Sequence, residues 1–379
     1  AELKKIAEES AAGENKGSLG AKTNSELQGQ NVAHAGIGQE LAERNRELSD
    51  GKSESLDVSD AAAFAEKNNQ LVKKGMQELQ PPAEVKKQEG AVSTAEVYVQ
   101  EQQSVVFNGP PAEGLLKLQE YLFEKYDTET NSQKARFFPA ELYNEIYSDV
   151  KKTAGFLLTP QDIVDYVFTR ANNTYEFRRS KILGLYTGAL LQLLTERNSE
   201  KENEANFLIN GTNFLIDGRD CTFDYLFSHA KKIDNVTVRG FKGEGVCEGI
   251  ASNGGYANSI VILNVEGGET AKGVGSHEGR VRELFLENII GLSAAEASGS
   301  SKGYVGTLAV VNSNGYRVAN LAGAGGTVET LIIANHKGSD IAESAGSNGK
   351  IDDIIIANTE GWAASDVGHG GVMKNITLL

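Results

Sequence analysis

Histidine and cysteine, two residues with versatile catalytic chemistry, are rare in this chain. Its 379 residues include only five histidines and two cysteines. Near the end of the sequence, the adjacent aspartates Asp352 and Asp353 are followed by His369. Carboxyl and imidazole groups are the side chains that most often perform general acid–base catalysis. A hydrolytic site at this end of the chain is therefore the first hypothesis to consider.

The segment Gly368-His369-Gly370 resembles the GHG motif of polygalacturonases, and Asp352-Asp353 resembles their paired aspartates. The resemblance covers five residues and implies a polysaccharide-cleaving enzyme on a parallel β-helix. Such enzymes also need long loops that wall a cleft. Neighbouring residues of a strand point to opposite faces, so only one of these aspartates could join a given carboxylate pair. We therefore interpret His369 as a turn residue in a glycine-rich corner and predict no catalytic residues.

Metal and cofactor sites are not indicated either. His277 and His369 fall in corresponding turns of a repeat, four copies apart. If each copy forms one coil about 4.8 Å high, these imidazoles are about 20 Å apart, which is too far for a shared metal ion. The sequence contains no phosphate-binding loop and no nucleophile elbow. We predict no cofactor and no metal.

The overall charge restricts the possible partners. Lysine and arginine together number 37, against 52 aspartates and glutamates, which gives a formal net charge of -15. Nucleic-acid backbones and anionic membrane surfaces are bound through clustered cations, so neither is expected as the main partner. No apolar run in the sequence reaches the length needed to cross a bilayer. We predict an acidic protein without a membrane span.

The cysteines and the asparagine sequons bear on the compartment. Cys221 and Cys247 lack CxxC spacing and occupy different positions of the repeat, which favours two unpaired thiols over a disulfide. Four Asn-x-Ser/Thr sequons begin at Asn172, Asn210, Asn235 and Asn375. They are compatible with an extracellular or cell-surface location, which we favour, without identifying it.

A short apolar strand recurs down the C-terminal third of the chain. Five copies end in asparagine, and successive asparagines are 24, 24, 23 and 23 residues apart. These residues are Asn264, Asn288, Asn312, Asn335 and Asn358. A glycine follows each of them after three residues. Such a fixed period predicts a solenoid whose coils stack.

Two columns of the repeat are apolar in every copy, and they are two residues apart. The first column contains Val236, Ile260, Leu284, Leu308, Leu331, Ile354 and Ile376, and the second begins with Val238 and Ile262. Side chains two residues apart share one face of a strand, so both columns are predicted to face the interior. The asparagine is two residues further along. We predict that it faces the same way and forms a ladder of side-chain amides.

The predicted fold class is α+β and multidomain, with a helical N-terminal module followed by a parallel β-helix, or β-solenoid, of about 23–24 residues per coil. This coil length is typical of the right-handed, pectate-lyase-like class. A leucine-rich repeat is the alternative, but its asparagine lies three residues after the last strand leucine instead of two. Its convex side also carries more leucine than these coils do.

We divide the chain into three parts. Residues 1–95 contain one aromatic residue, Phe64, and are predicted to be partly disordered or to contain a docked amphipathic helix at 57–79 with a heptad seam. Residues 96–200 have the pattern of a compact module of four helices. Residues 201–379 form the β-solenoid.

The outward positions of the repeated strands are also apolar. Between the two inward columns lie Val261, Phe285, Ala309, Ile332 and Ile355. Parallel strands that are apolar on both faces are normally covered on both faces. We therefore predict an interaction face here. It is covered either within the chain, by 57–79 or by the helical module, or by another subunit or a protein partner.

The two ends of a solenoid need protection because an open coil presents an unpaired strand edge. The helical module can cap the N-terminal end. The sequence stops in the middle of a strand, at Ile376-Thr377-Leu378-Leu379. We expect that this open C-terminal coil pairs with another chain or that the native protein continues.

Together these features favour a non-enzymatic structural or interaction protein, such as a surface, appendage or assembly component. Its partner would be another copy of itself or another protein, with a glycan as a further possibility. The alternative is a carbohydrate-active enzyme, a lyase or hydrolase, on the same fold. A cleft with two or more carboxylates of shifted pKa would favour the enzyme. Smooth coils with a large apolar contact surface would favour the interaction protein.

Overall fold

The computed structural model describes residues 110–203, 213–361 and 365–378. The amphipathic segment predicted at 57–79 lies outside these residues. The described part begins with helices and continues into a parallel β-solenoid, which confirms the predicted fold class. The helices are α1 (Pro111–Tyr126), α2 (Glu129–Phe137), α3 (Pro139–Thr153), α4 (Pro160–Arg170) and α5 (Phe177–Asn203).

Local sequence explains where the helices start. At α4, the Thr159 side chain accepts a hydrogen bond from the Asp162 N–H, while the Asp162 carboxylate accepts one from the Thr159 N–H at 2.8 Å. Pro160 occupies the first helical position, where its missing N–H costs nothing. Four helices were predicted, whereas residues 110–203 contain five. Helix α2 was missed because Ala135 is its only buried residue, so it lacks an apolar period.

The solenoid contains one long parallel sheet in the order β1-β2-β3-β4-β5-β7-β9-β10, and the short strands β6 and β8 pair beside it. The strands are β1 (Asn213–Thr222), β2 (Lys232–Lys242), β3 (Tyr256–Glu266), β4 (Arg280–Gly291), β5 (Tyr304–Val311), β6 (Asn314–Tyr316), β7 (Thr327–Ala334), β8 (Lys337–Ser339), β9 (Lys350–Ala357) and β10 (Val372–Leu378). Each coil of the repeat contributes one strand to the long sheet.

Both predicted inward columns are buried from β2 to β9. Ile260 and Ile262, for example, are fully buried, and their equivalents in the other coils are at most 2% exposed. The last members of the columns differ. Ile376 and Leu378 of β10 are 49% and 62% exposed, because β10 has a strand on only one side among the described residues.

The side of each coil opposite the long sheet is a chain of turns, which we call the turn ribbon. In the coil that contains β3, the turn ribbon covers residues 269–277. Many of its residues have positive φ, and the positive-φ residues of the described chain include no valine, isoleucine or threonine. Within this ribbon the Ala271 N–H donates to Val246 O of the preceding coil at 2.9 Å. The Gly273 N–H donates to Glu296 O of the following coil at 2.7 Å. The β-branched residues Thr270 and Val274 of this ribbon lie outside the left-handed region, because that backbone conformation disfavours them.

The glycine that follows each asparagine allows a close approach between coils. A Cβ atom on Gly315 would lie 1.6 Å from Gly291 O, and one on Gly338 would lie 1.6 Å from Gly315 O. No side chain fits at such distances. The repeated glycine thus sets the packing of one coil on the next, in addition to permitting a bend.

Helix α5 caps the N-terminal end of the solenoid. Gly184 and Gly188 bring the helix against the first coil, since a Cβ atom on Gly188 would lie 2.4 Å from Ser228 O. Thr187 Oγ1 accepts a hydrogen bond from the Phe227 N–H at 3.0 Å, so a side chain of the helix satisfies a donor of the terminal coil. A helix packed against the terminal coil in this way protects the exposed edge of a repeat array.

Candidate interaction surface on the outer sheet face

The five residues of the predicted interaction face are brought into register by the long sheet. Val261 pairs with Phe285, Phe285 with Ala309, Ala309 with Ile332, and Ile332 with Ile355. The register extends the row by two strands before β3, namely β2 and β1, and by one strand after β9, namely β10. We call the complete row the central column: Leu215, Thr237, Val261, Phe285, Ala309, Ile332, Ile355 and Thr377.

The central column faces away from the solenoid core and is only partly buried. Ala309 is 6% exposed, whereas Phe285 and Ile332 are half-buried between their neighbours. The helices do not extend over the middle of this face. Their substantial contacts with the sheet are made by α4 with β1 and by α5 with β2. Among the described residues, the helical module is therefore a cap of the coil end, and the prediction that it could cover the outer face was wrong.

A row of polar residues runs beside the central column. We call it the polar column, and its members are Asn213, Asn235, Ser259, Glu283, Thr307, Thr330, Asp353 and Asn375. Asn235 Nδ2 donates to Asn213 Oδ1 at 2.8 Å, and Asn375 Nδ2 donates to Asp353 Oδ1 at 2.6 Å. Inter-coil hydrogen bonds of this kind hold polar side chains at defined positions on the face.

The row on the other side of the central column is mixed in character. We call it the mixed column, and it contains Asp217, Arg239, Leu263, Glu287, Val311, Ala334 and Ala357. Arg239 forms an ion pair with Asp217 at 2.8 Å, so the charges at its first two positions compensate one another. From Val311 onward the column is apolar. The outer face is thus apolar in its centre, polar on one side and increasingly apolar on the other.

Two glutamates flank Phe285 on this face. Burial raises the pKa of Glu283, against a smaller opposing effect of Arg282, whose Nε lies 4.0 Å from Glu283 Oε1. Burial also raises the pKa of Glu287, which accepts a hydrogen bond from Asn312 Nδ2 at 3.3 Å. Neither residue was predicted from the sequence to be functional. The signal that could have indicated them is the presence of two acidic residues at outward positions of an otherwise apolar strand.

The spacing of these glutamates does not suit a glycosidase pair. They are four positions apart along the strand, or about 13 Å of chain at about 3.3 Å per residue. The carboxyl groups of known retaining and inverting glycosidases are about 5–9.5 Å apart. The coils also keep a nearly constant length, so they supply no long loop to wall a cleft at this position.

The asparagines at the end of the repeated strands lie along one corner. Asn288 Nδ2 donates to Asn264 Oδ1 at 2.8 Å, and Asn358 Nδ2 donates to Asn335 Oδ1 at 2.7 Å. Asn335 Nδ2 in turn donates to Asn312 Oδ1 at 2.9 Å. The step from Asn288 to Asn312 differs, since Asn312 donates to Glu287 instead.

The prediction that these asparagines face the interior was wrong. All five side chains are exposed, and all five residues have φ between 48° and 55°. Left-handed backbone turns the chain at this point, so the residue two positions after an inward side chain does not point inward. Asparagine is among the few residues that adopt this conformation readily.

The residues of the polygalacturonase-like motif are not brought together as a catalytic pair. His369 is exposed in a turn, and its carbonyl accepts a hydrogen bond from the Asn348 N–H at 2.9 Å. Asp352 forms ion pairs with Lys350 and Lys374, each at 2.8 Å. Although burial opposes it, hydrogen bonds from these lysines lower the pKa of Asp352. Asp353 accepts its hydrogen bond from the adjacent coil, on the outer face.

The histidines and cysteines do not form a metal centre in the described part of the chain. Backbone hydrogen bonds between successive turns place His277 four coils from His369. Across residues 110–203, 213–361 and 365–378, no group of three or more His, Cys, Asp or Glu residues has an arrangement that could hold a metal ion. Both cysteines are free thiols; Cys247 is buried, and burial raises its pKa, while Cys221 is partly exposed.

A second group of apolar side chains is exposed on the side of the solenoid that carries β6. Ile290, Leu292 and Tyr316 are each more than half exposed. Leu292 and Tyr316 directly follow the paired residues Gly291 and Gly315, so they are neighbours in adjacent coils. This group is smaller than the central column and lies beyond the asparagine corner. It provides a useful control surface for experiments.

Comparison with protein-family models, with curated proteins and with solved structures finds no match to this chain. Within the described residues, no helix has both the length and the apolar character that crossing a membrane would require.

Proposed function

We propose that this chain is a non-enzymatic structural or interaction protein that binds a protein partner through the central column of its solenoid. The observation that supports this is the row of apolar side chains on the outward face, which α1–α5 leave uncovered. A contiguous apolar stripe with a polar margin is typical of a protein contact surface. A surface, appendage or assembly component at an extracellular or cell-surface location would use such a stiff stack of coils.

The open coil at β10 is a second place where a partner could add to the solenoid. Ile376 and Leu378 continue the inward columns and are about half exposed or more. A partner strand that pairs with β10 would cover these two side chains, in the same way that each coil covers the coil before it. Among the described residues, the N-terminal coil is instead packed against α5, so β10 is the edge at which we propose strand addition.

The mass of the purified chain in solution tests this proposal. We expect light scattering across a concentration series to show an oligomer, and we expect Phe285→Glu to shift the mass toward the monomer. Burying a carboxylate in an apolar contact is strongly unfavourable. Leu292→Glu is the matched control, since it places the same charge on an exposed apolar position outside the column. An unchanged oligomer with Phe285→Glu would contradict the role of the central column.

A carbohydrate-active enzyme remains the second candidate, and the raised pKa values of Glu283 and Glu287 are the observation in its favour. Perturbed carboxylates often mark catalytic sites. A screen for cleavage of acidic and neutral polysaccharides, with Glu283→Gln and Glu287→Gln as variants, separates the two functions. Cleavage that either variant abolishes would contradict the non-enzymatic proposal. Glycan binding without cleavage would agree with an interaction protein.

A further inference from the structure

The geometry of the outer face points to a second copy of this chain as the partner of the central column. We propose that two copies pack face to face about a two-fold axis that is parallel to the strands and passes between β4 and β5. This inference rests on the proposed function, because it names the partner of that same surface. In this arrangement the two solenoids run in opposite directions, and each strand lies opposite a different strand of the second copy.

The side-chain sizes of the central column fit this arrangement. The column has eight rows, and its midpoint lies between Phe285 and Ala309. The two-fold axis places each row opposite the row at equal distance on the other side of the midpoint. The resulting pairs are Phe285 with Ala309, Val261 with Ile332, Thr237 with Ile355, and Leu215 with Thr377. Each pair combines a larger with a smaller side chain, so the two surfaces can interlock without large voids.

The flanking columns fit it as well. The axis places the polar column opposite the polar column of the second copy, where Glu283 meets Thr307 and Asn235 meets Asp353. Each of these pairs has at most one ionised group and at least one possible hydrogen-bond donor. In the mixed column, Glu287 meets Val311 beside the exposed asparagine corner. A glutamate side chain at this margin can extend toward water.

The other simple face-to-face arrangement fits poorly. A two-fold axis parallel to the solenoid would place every row opposite itself and would exchange the two flanking columns. Phe285 would then meet Phe285, and Ala309 would meet Ala309, which produces a collision beside a void. Glu283 would meet Glu287 of the second copy, and opposed like charges are unfavourable at an interface. The sequence of the face therefore favours the antiparallel arrangement.

The size of the face is adequate for a specific dimer. Eight rows at about 4.8 Å and five residues at about 3.3 Å give a patch of roughly 600 Å² on each copy. The two copies would bury on the order of 1,200 Å² together, at the lower end of specific protein–protein interfaces. An affinity that responds to single substitutions in the central column is therefore expected.

Exchange of the central pair is the sharpest test. Phe285→Ala leaves Ala opposite Ala, and Ala309→Phe forces Phe opposite Phe, so we expect each to weaken the dimer about ten-fold or more in sedimentation equilibrium. The double variant Phe285→Ala with Ala309→Phe restores one Phe–Ala pair on each side of the axis. We expect its dimer dissociation constant to return to within about three-fold of the wild-type value. Tyr316→Ala, outside the column, should leave the dimer unchanged.

The possible failures are distinguishable. A double variant that dimerises more weakly than either single variant would contradict the antiparallel arrangement. A wild-type chain that is monomeric at every concentration, or an oligomer that tolerates all three variants, would overturn the second copy as partner. Both results are read from the oligomeric state and involve no enzymatic assay. Polysaccharide cleavage that depends on Glu283 would instead overturn the proposed function itself. Thermal unfolding by circular dichroism, measured on every variant, shows that each one is folded.

Discussion

Ser313 Oγ and His336 Nδ1 lie 2.7 Å apart in adjacent coils, and both side chains are buried. They continue an inward column that contains Val265 and Ile289 in the preceding coils. Nε2 of His336 has no hydrogen-bond partner in the described structure. Burial lowers the pKa of His336, so the imidazole is held neutral in a column that Val265 and Ile289 fill with apolar side chains in earlier coils.

We predict that the protein loses stability as the pH falls below about 6.5. Histidine has an unperturbed pKa near 6.5 in an unfolded chain. Burial lowers the pKa of His336 in the folded state, and burial lowers that of His229 to about 3. The unfolded state therefore binds more protons below pH 6.5, and the free energy of unfolding falls with pH. The loss should reach a few kcal/mol by pH 4 in urea unfolding curves.

A double variant tests the contribution of the buried pair. Ser313→Val with His336→Leu should keep the column apolar, remove one titrating group and make the free energy of unfolding less dependent on pH between 6.5 and 4. His277→Gln is the control, because His277 is exposed. An unchanged pH dependence in the double variant would show that His336 does not contribute to it.

The asparagine corner yields a second prediction. Asn335 donates to Asn312 at 2.9 Å and accepts from Asn358 at 2.7 Å, and its φ is 54°. Asn335→Ala removes both hydrogen bonds and places alanine in left-handed backbone, so it should cost about 1–2 kcal/mol. Asn335→Gly removes the hydrogen bonds but relieves the backbone, and it should cost less. If the glycine variant matches the wild type in urea unfolding, the amide ladder adds nothing to stability.

The sequence was sufficient to predict the long parallel sheet, because burial follows strand alternation. Ile260 and Ile262 are two residues apart, and the same spacing recurs in every coil. The outward position of Phe285 followed from the same alternation. The orientation of Asn264 did not, because its positive φ interrupts the alternation, and hydrophobic periodicity carries no information about the sign of φ.

Neither the turn ribbon nor the raised pKa values of Glu283 and Glu287 could be predicted from the sequence, and the reasons differ. The ribbon consists of small residues such as Ala295, Ala297 and Ser298, which provide no apolar period from which a regular structure could be predicted. The raised pKa of Glu283 depends on burial between Ser259 and Thr307, which are far away along the chain. Such burial becomes visible only when the strands are in register.

The helical cap yields a third prediction. A Cβ atom on Gly188 would lie 2.4 Å from Ser228 O, which is a backbone atom of the first coil. Gly188→Ala should therefore force α5 away from the solenoid and cost about 3 kcal/mol or more in thermal unfolding. Gly254→Ala is the control, because no atom lies within 4 Å of its Cβ position and only its φ of 75° is unfavourable. Equal costs for the two variants would contradict close packing of the cap.

Glu283 yields the last prediction, which concerns stability at neutral pH. Burial raises its folded-state pKa above the unfolded value of about 4.3, so ionisation opposes folding as the pH rises through this range. Glu283→Thr should then make the chain more stable at pH 7, and threonine fits the position because Thr307 and Thr330 occupy equivalent ones. The gain should shrink at pH 4, where the carboxyl group is largely protonated in both states. Glu266→Thr, at an exposed position of β3 outside the three columns, should change little at either pH. Lower stability of Glu283→Thr at pH 7 would mean that the carboxylate makes a favourable contact that outweighs its burial.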